Sequence, residues 1–286
     1  MKQALLVTNA FLRTPSFENL HQALLAEANR QGLQLIHHTN KELLGMAGWS
    51  HLPTTVLFWD KDVRLAALMA QEGMRLFNTA RAIALCDDKT LTYIKLKEHG
   101  IPMPDTLLCP MTFPGAGYGD MAFADIAAKK LGLPFIIKEG CGSFGQQVYL
   151  AHTIDEGRDI IRRVGARPML FQRLIQESAG RDIRVYIVNG QAVAAIVRTG
   201  PAGDFRSNIA GGGSAAAHAL TPAEEGLALS ACRALGLHFG GVDLLMARDG
   251  PLVCEVNSNA HFAGLHRATG INPAEHIIAL IREAAP

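Results

Sequence analysis

Hydrophobic positions in the first 85 residues follow two alternating rhythms. Short apolar runs, "ALLVT" at 4–8, "LQLIHH" at 33–38 and "TTVLFWD" at 54–60, are separated by helically spaced stretches near 16–31 and 61–73. Nearly continuous apolar strands alternating with helices predict a small parallel sheet covered by helices. Asp87 and Asp88 then offer a cap for a helix running to Glu98, which Gly100 and Pro102 stop. Beyond it the pattern turns α+β: a helix near 121–131, the strand "PFIIKEG", the glycine-rich "CGSFG", the strand "QQVYLAH" and the helix "IDEGRDIIRRV" at 154–164.

The remainder is rich in strands. "DIRVYIV" and "QAVAAIVR" flank Asn189-Gly190, a pair suited to the tight turn of a β-hairpin. Thr221, Pro222 and Glu224 supply a cap, a first-turn proline and a capping-box partner for another helix. A final helix is expected near 273–283, and "AGGGSAAA" at 210–217 reads as a mobile loop. These shifts divide the chain into an N-terminal α/β domain (1–85), a central lobe (86–168) and a C-terminal lobe (169–286).

One hairpin breaks its own apolar pattern. In "VDLLMARDGPLVCEVNSN", at 242–259, Asp243 and Glu255 interrupt otherwise apolar strands, and Asn257 follows Glu255 by two, so it shares that face. A three-residue Arg248-Asp249-Gly250 turn sets Ala247 against Pro251 and Asp243 against Glu255. A two-residue Asp249-Gly250 turn is the competing register and puts the two carboxylates on opposite faces. Directly opposed carboxylates repel, so a convergent arrangement calls for a compensating cation, and hard oxygen ligands suit Mg²⁺ or Mn²⁺. The competing explanation is an edge hairpin with a wetted polar face.

Composition narrows the classes. With 286 residues, 49% of them hydrophobic, the chain can bury a large core across two or three lobes. A formal net charge of +1 and no long basic run argue against a dedicated nucleic-acid surface. The start "MKQALLVTNA" turns polar too soon for a secretion signal and no apolar run reaches a membrane-spanning length, which makes the cytoplasm the default location. Five cysteines without CxxC spacing fit neither a disulfide framework nor a zinc site. Cys141, inside the glycine-rich loop, stands apart from the rest. The histidines, among them His37-His38, His261 and His266, form no zinc pattern. There is no GxSxG elbow, and Ser143 has no evident base, so nucleophilic catalysis has no support.

Other groups suggest phosphate chemistry. Lys138 ends an apolar strand just before Gly140, Gly142 and Gly145, and glycines let backbone N–H groups approach phosphate oxygens. Here strand follows strand, so the loop would act as a flap rather than a Walker A turn. "GDFRSNIAGGG" presents Arg206 and Asn208, an arginine fork being suited to a transferring phosphoryl group. Arg181 and Asp182 could form a local ion pair at a strand entrance.

Taken in order, "DDKTLTYIKLKEHGIPMPDT", "PFIIKEGCGSFGQQV", "FQRLIQESAGRDIRVYIVNGQAVAAIVR", "GDFRSNIAGGG" and "GVDLLMARDGPLVCEVN" resemble the ATP-grasp ligases of the RimK-like branch and the similar LysX-type ligases. The resemblance implies a nucleotide clamped between two α+β lobes. It implies that Lys89 and Lys138 contact phosphates, that Gly142, Ser143 and Gly145 form the flap, and that the hinge from Arg173 through Leu174 and Ile175 to Asp182 holds adenine and ribose. Arg206, with Asn208, would reach the γ-phosphate and serve catalysis, and Asp243, Glu255 and Asn257 would bind two Mg²⁺ or Mn²⁺ ions, which also favours the three-residue turn. Asn259 and His261 would line the substrate pocket.

The implied activity is ATP-dependent joining of a carboxylate to an amine through an acyl phosphate. An amino acid would be added to a peptide, a protein tail or a small acid, with neither nucleic acid nor membrane as partner and a homo-oligomer left open. Two positions depart from the family: Gly211 stands where an arginine is usual and Arg173 where an acidic residue is common. "SNAHFAGLH" also replaces the proline-glycine turn that follows "EVN" in the ribosomal-tail branch. The alternative is a nucleotide-binding module that has lost ligation and serves regulation or scaffolding.

Overall fold

The computed structural model describes residues 2–142, 145–207 and 212–286. The N-terminal domain runs β1 (Lys2–Thr8), α1 (Pro15–Arg30), β2 (Leu33–Thr39), α2 (Asn40–Leu44), β3 (Thr55–Trp59), α3 (Val63–Gln71) and β4 (Arg75–Phe77). Its strands lie in the order β2-β1-β3-β4 and pair in parallel. All five residues of β3 are buried, as a strand covered on both faces requires. Helices α4 (Ala80–Asp87) and α5 (Lys89–Glu98) follow, and the Asp88 side chain caps α5 by accepting from the N–H groups of Thr90 and Leu91.

The central lobe holds β5 (Thr106–Leu108), α6 (Ala122–Leu131), β6 (Phe135–Glu139), β7 (Val148–Ala151), α7 (Ile154–Val164) and β8 (Met169–Arg173), with its antiparallel sheet in the order β5-β8-β6-β7. The boundary expected at 168 therefore falls one strand early. β8 completes the central sheet, because Ile137 and Leu107 both pair with Phe171. This lobe has its own core, in which Phe135 and Phe171 meet edge to face.

The C-terminal lobe contains β9 (Arg181–Val188), β10 (Gln191–Thr199), β11 (Ser214–Ala217), α8 (Pro222–Leu235), β12 (Phe239–Ala247), β13 (Gly250–Asn257), α9 (Ala263–Thr269) and α10 (Pro273–Ala284). The sheet order is β11-β10-β9-β12-β13. Asn189 and Gly190 both take left-handed φ, 50° and 72°, which closes the expected hairpin between β9 and β10. The segment expected as a mobile loop is in part β11, whose Ser214–Ala217 pair with Thr199 to Ile196. Small side chains let it lie along a sheet edge that composition alone did not reveal.

The β12–β13 hairpin realises neither expected turn. Ala247 pairs with Gly250 across a two-residue Arg248-Asp249 turn, and Met246, not Ala247, faces Pro251. The register then shifts between Asp243 and Leu244, and the β-bulge at Cys254 brings Asp243 opposite Glu255. The carboxylates thus share a face, as expected, but the bulge and not the turn puts them there.

The N-terminal domain and C-terminal lobe share one core. Leu6, Leu24 and Leu57 pack in the same cluster as Tyr186, Phe239 and Ile277, and Trp59 stacks on Phe239 with ring centroids 5.4 Å apart. Asn78 pins this junction. Fully buried, it donates to the carbonyls of Phe239 (2.9 Å) and Ser258 (3.0 Å) and accepts from the N–H of His238 (2.7 Å). Asn78→Ala would leave these backbone groups unpaired in the interior and should lower unfolding free energy by about 2–4 kcal/mol in denaturant titrations. A loss under about 0.5 kcal/mol would show that the junction does not rely on it.

Candidate active site

A row of charges crosses three neighbouring strands. Arg184 of β9 stands opposite Asp243 of β12, which stands opposite Glu255 of β13. The Arg184 guanidinium grips Asp243 with two bonds, Nε to Oδ1 at 2.7 Å and Nη2 to Oδ2 at 2.6 Å. Arg198 of β10 adds a contact to Asp243 Oδ2 at 2.9 Å and pairs with Asp182 through both of its carboxylate oxygens. Asp182, Arg198 and Asp243 are 5%, 6% and 3% exposed, so these charges are held almost entirely by one another. Burial raises the Asp243 carboxyl, but the two arginines outweigh it and hold it below the usual range. Asp182 is pushed the other way, first by burial and then by the charge of Asp243.

This network holds Asp182 in place. Both of its oxygens are committed inward, to Arg198 and to the Ser207 hydroxyl, so the hinge contacts that the resemblance implies fall here to backbone groups. The signal for it lay in the sequence. Asp182 and Arg184 are two apart in an apolar strand, and Arg198 is the matching charge in the next strand, which pairs directly with Asp182. Neither Arg184 nor Arg198 was singled out from the sequence.

Two lysines face the row from elsewhere. Lys89, the first residue of α5, places Nζ 3.4 Å from Glu255 Oε1 and donates to the Gly142 carbonyl at 3.1 Å. Lys138, buried in β6, lies 3.5 Å from Sγ of Cys254, the bulge residue. Burial raises the Cys254 thiol although Lys138 opposes the shift. Four cations (Lys89, Lys138, Arg184, Arg198) against three carboxylates (Asp182, Asp243, Glu255) leave one net positive charge, which suits a polyanion. Cys141 is exposed, but burial and Asp88 raise its thiol pKa, so the loop does not activate it.

The flap is anchored on both sides. Gly142 has φ +145°, a backbone conformation that L side chains rarely adopt, so glycine is favoured there. Gly145 offers its carbonyl to Arg206 Nη1 at 3.1 Å, while Asp204 grips the rest of that guanidinium. Arg206 therefore bridges the C-terminal lobe to the flap. Ser143, Asn208 and Gly211 lie outside the described residues. At the hinge, Arg173 turns away to Asp105 (2.9 Å) and the Lys130 carbonyl, and Leu174 and Ile175 follow half-buried.

Asp243, Glu255 and Asn257 bring hard oxygen donors to one face, and Glu255 and Asn257 suit a divalent cation, whereas both Asp243 oxygens are taken by Arg184 and one of them also by Arg198, so a cation there would share Asp243 only by displacing an arginine contact. Among the described residues, no three or more His, Cys, Asp or Glu side chains are grouped to hold a metal; the expected set has two carboxylates and an amide. Beyond Asn257 the chain crosses to the N-terminal domain. Asn259 Nδ2 donates to the Asp60 carbonyl at 2.9 Å, and His261 Nδ1 lies 3.3 Å from the Ser16 hydroxyl. Asn259 and His261 thus sit at the seam between the N-terminal domain and the C-terminal lobe. His261 packs edge-on to Phe17 at 4.5 Å, and burial, then Arg184, lowers its pKa.

The comparisons with known proteins agree with this architecture. Residues 86–281 match the model of the RimK-like ATP-grasp domain. The chain is 34% identical to human N-acetylaspartylglutamate synthase A over 223 residues, 77% of this chain and 56% of that protein. It is 32% identical to the "Probable alpha-L-glutamate ligase" of Thioalkalivibrio sulfidiphilus over 255 residues, 87% and 81% of the two. The ATP-bound D-alanine–D-alanine ligase of Bacillus anthracis superposes with a TM-score of 0.77 at 16% identity, covering 99% of both chains. The fold is thus ATP-grasp, and the chain belongs to the RimK-like ATP-grasp family. It spans about half the length of curated relatives such as the human protein. Among the described residues no helix is long and apolar enough to cross a membrane.

Two measurements test the electrostatics. Arg198→Met strips two buried carboxylates of their shared cation and should cost about 3–5 kcal/mol of unfolding free energy; a loss below about 1 kcal/mol would mean the carboxylates relax without it. His21, beside His37 and near His261, is held at a pKa of about 4 by burial and those two rings, against an ordinary 6.5. The unfolded chain binds the extra proton between those values, so stability is present above pH 6.5 and falls as pH drops toward 4. Denaturation midpoints from pH 7 to 4 should decline less steeply in His21→Gln, and equal slopes would remove His21 as a cause.

Proposed function

We propose that the chain is an ATP- and Mg²⁺-dependent ligase that joins a carboxylate to an amine through an acyl phosphate, adding an amino acid to a peptide, a protein tail or a small acid. The observation that carries this reading is the charge row from Arg184 through Asp243 to Glu255, faced by Lys89 and Lys138 beneath the flap. A net cationic cleft with hard oxygen donors on its floor is what a metal–polyphosphate complex requires.

Asp243, Glu255 and Asn257 would hold the ions, a pair of them, and Mn²⁺ would serve as well as Mg²⁺. Bound magnesium would neutralise phosphate charge and polarise the transferring phosphoryl group. Lys89 and Lys138 act as point charges on phosphate oxygens, and the flap around Gly142 and Gly145 excludes water above them. Backbone groups of Leu174 and Ile175 hold the adenine, and Arg206 meets the γ-phosphoryl group from its position against the flap. A carboxylate oxygen takes the γ-phosphoryl group as ADP leaves; the neutral amine nitrogen then attacks the acyl carbon, the C–O bond to phosphate breaks, inorganic phosphate departs and the amine's proton passes to it or to water. This chemistry demands placement and charge neutralisation, not a side-chain nucleophile. The relatives named for N-acetylaspartylglutamate and α-L-glutamate make glutamate the first amino acid to test.

Because Asp243 is already saturated by two arginines, a module that binds nucleotide without ligating is the second reading. Phosphate release from ATP, measured over a panel of amino acids and carboxylates, separates the two. Release with a matched pair supports the ligase, whereas ATP binding without release supports the module. Glu255→Gln should lower turnover about 100-fold or more and weaken Mg²⁺-ATP binding; near-normal rates would remove the ion assignment. Hydroxylamine should trap the activated acid as a hydroxamate with ADP as co-product, and AMP in its place would mean adenylation.

A further inference from the structure

Both carboxylates of the β12–β13 hairpin already hold cations from other elements. Arg184 takes the two oxygens of Asp243, at 2.7 and 2.6 Å, and Arg198 adds a contact to Oδ2 at 2.9 Å, so three of the roughly four lone-pair sites of that carboxylate are used. Glu255 has its own partner in Lys89, 3.4 Å away. A divalent ion drawn to Asp243 would also crowd two guanidiniums in the interior, where like charges are poorly screened. Fork and ion compete for one carboxylate.

Which arginine yields is decided by its other bonds. Arg198 holds both oxygens of Asp182 as well, and its side chain is only 7% exposed, so its departure would strand a second buried carboxylate. Arg184 has no such duty. Among the described residues its guanidinium bonds to Asp243 alone, and its side chain is 17% exposed. Lys89 is equally replaceable at Glu255, because it keeps the Gly142 carbonyl at 3.1 Å as a second partner.

We infer that Arg184 is a positioning residue that exchanges with the divalent ion at Asp243: as the ion is taken up, the guanidinium turns out of the carboxylate, and Lys89 gives up Glu255 with it. Both cations are then free for the phosphate oxygens that accompany the ion. The exchange rests on the ion assignment of the ligase reading and adds a coupling to it. An ion alone binds poorly, since two displaced cations find nothing to receive them, whereas a polyphosphate brings the anions that do.

Binding of Mn²⁺ to the full chain, followed by loss of the free-ion electron paramagnetic resonance signal, tests the exchange without turnover. Arg184→Lys keeps the charge and removes the fork, and Arg184→Met removes both. Without nucleotide each should bind Mn²⁺ about 10-fold more tightly than wild type, the worth of one charge-assisted hydrogen bond. A non-hydrolysable ATP analogue should then tighten Mn²⁺ binding more in wild type than in either variant. Affinity unchanged or weaker in both variants, or an equal gain from the analogue in all three proteins, overturns the exchange. Glu255→Gln scores the ion assignment separately: it should weaken Mn²⁺ binding about 10-fold, and an unchanged affinity there overturns the assignment itself.

Discussion

Asp182 and Asp243 are buried in one sheet, and two arginines are what make this tolerable. A carboxylate taken out of water without a partner costs several kcal/mol, and two close together cost more. The structure answers with a guanidinium fork for each and with Arg198 shared between them. Strand order follows from this need. β9 must lie between β10 and β12 for Arg184 to face Asp243 while Arg198 faces Asp182. A sheet that satisfied its apolar residues in some other order would strand a charge.

Around this fixed floor the remaining cations come from separate parts of the chain. Lys89 is delivered by a helix start that Asp88 caps, and Lys138 by a strand of the central lobe. Each lysine is tied to a different piece of the hairpin, Glu255 for one and Cys254 for the other. The bulge thus sets the spacing of both lysines as well as the pairing of the carboxylates. The central lobe, by contrast, packs its own aromatic core and meets the floor chiefly through side-chain contacts at its edge.

Much of this was legible in the sequence because it is periodic or local. The parallel N-terminal sheet, the Asn189-Gly190 hairpin, the caps at Asp88 and Thr221 and the helix at 154–164 all depend on neighbours within a few residues. The pairing of Asp243 with Glu255 was anticipated, yet through a turn that does not form; a bulge leaves no mark in the apolar pattern, since it adds one residue to an apolar run. β8 was assigned to the wrong lobe because a strand's sheet is chosen by its partners, and those at Phe135–Glu139 lie 30 to 38 residues away. The short β11 was missed for a similar reason: its alanines pair by backbone alone. The partnership of Asp182 with Arg198 was not legible locally because the match between them spans 16 positions.

The core common to the N-terminal domain and the C-terminal lobe has a mechanical consequence. Leu57, Tyr186 and Ile277 belong to one packed body, while the central lobe carries a separate core and joins that body through two chain crossings near 99–105 and 174–180. Rigid bodies move at such joints and not through packed interiors. The floor and the seam therefore travel together, and the flap rides on the part that swings. A swing of the central lobe would carry the roof over the charge row while the junction pinned by Asn78 beneath it keeps its shape.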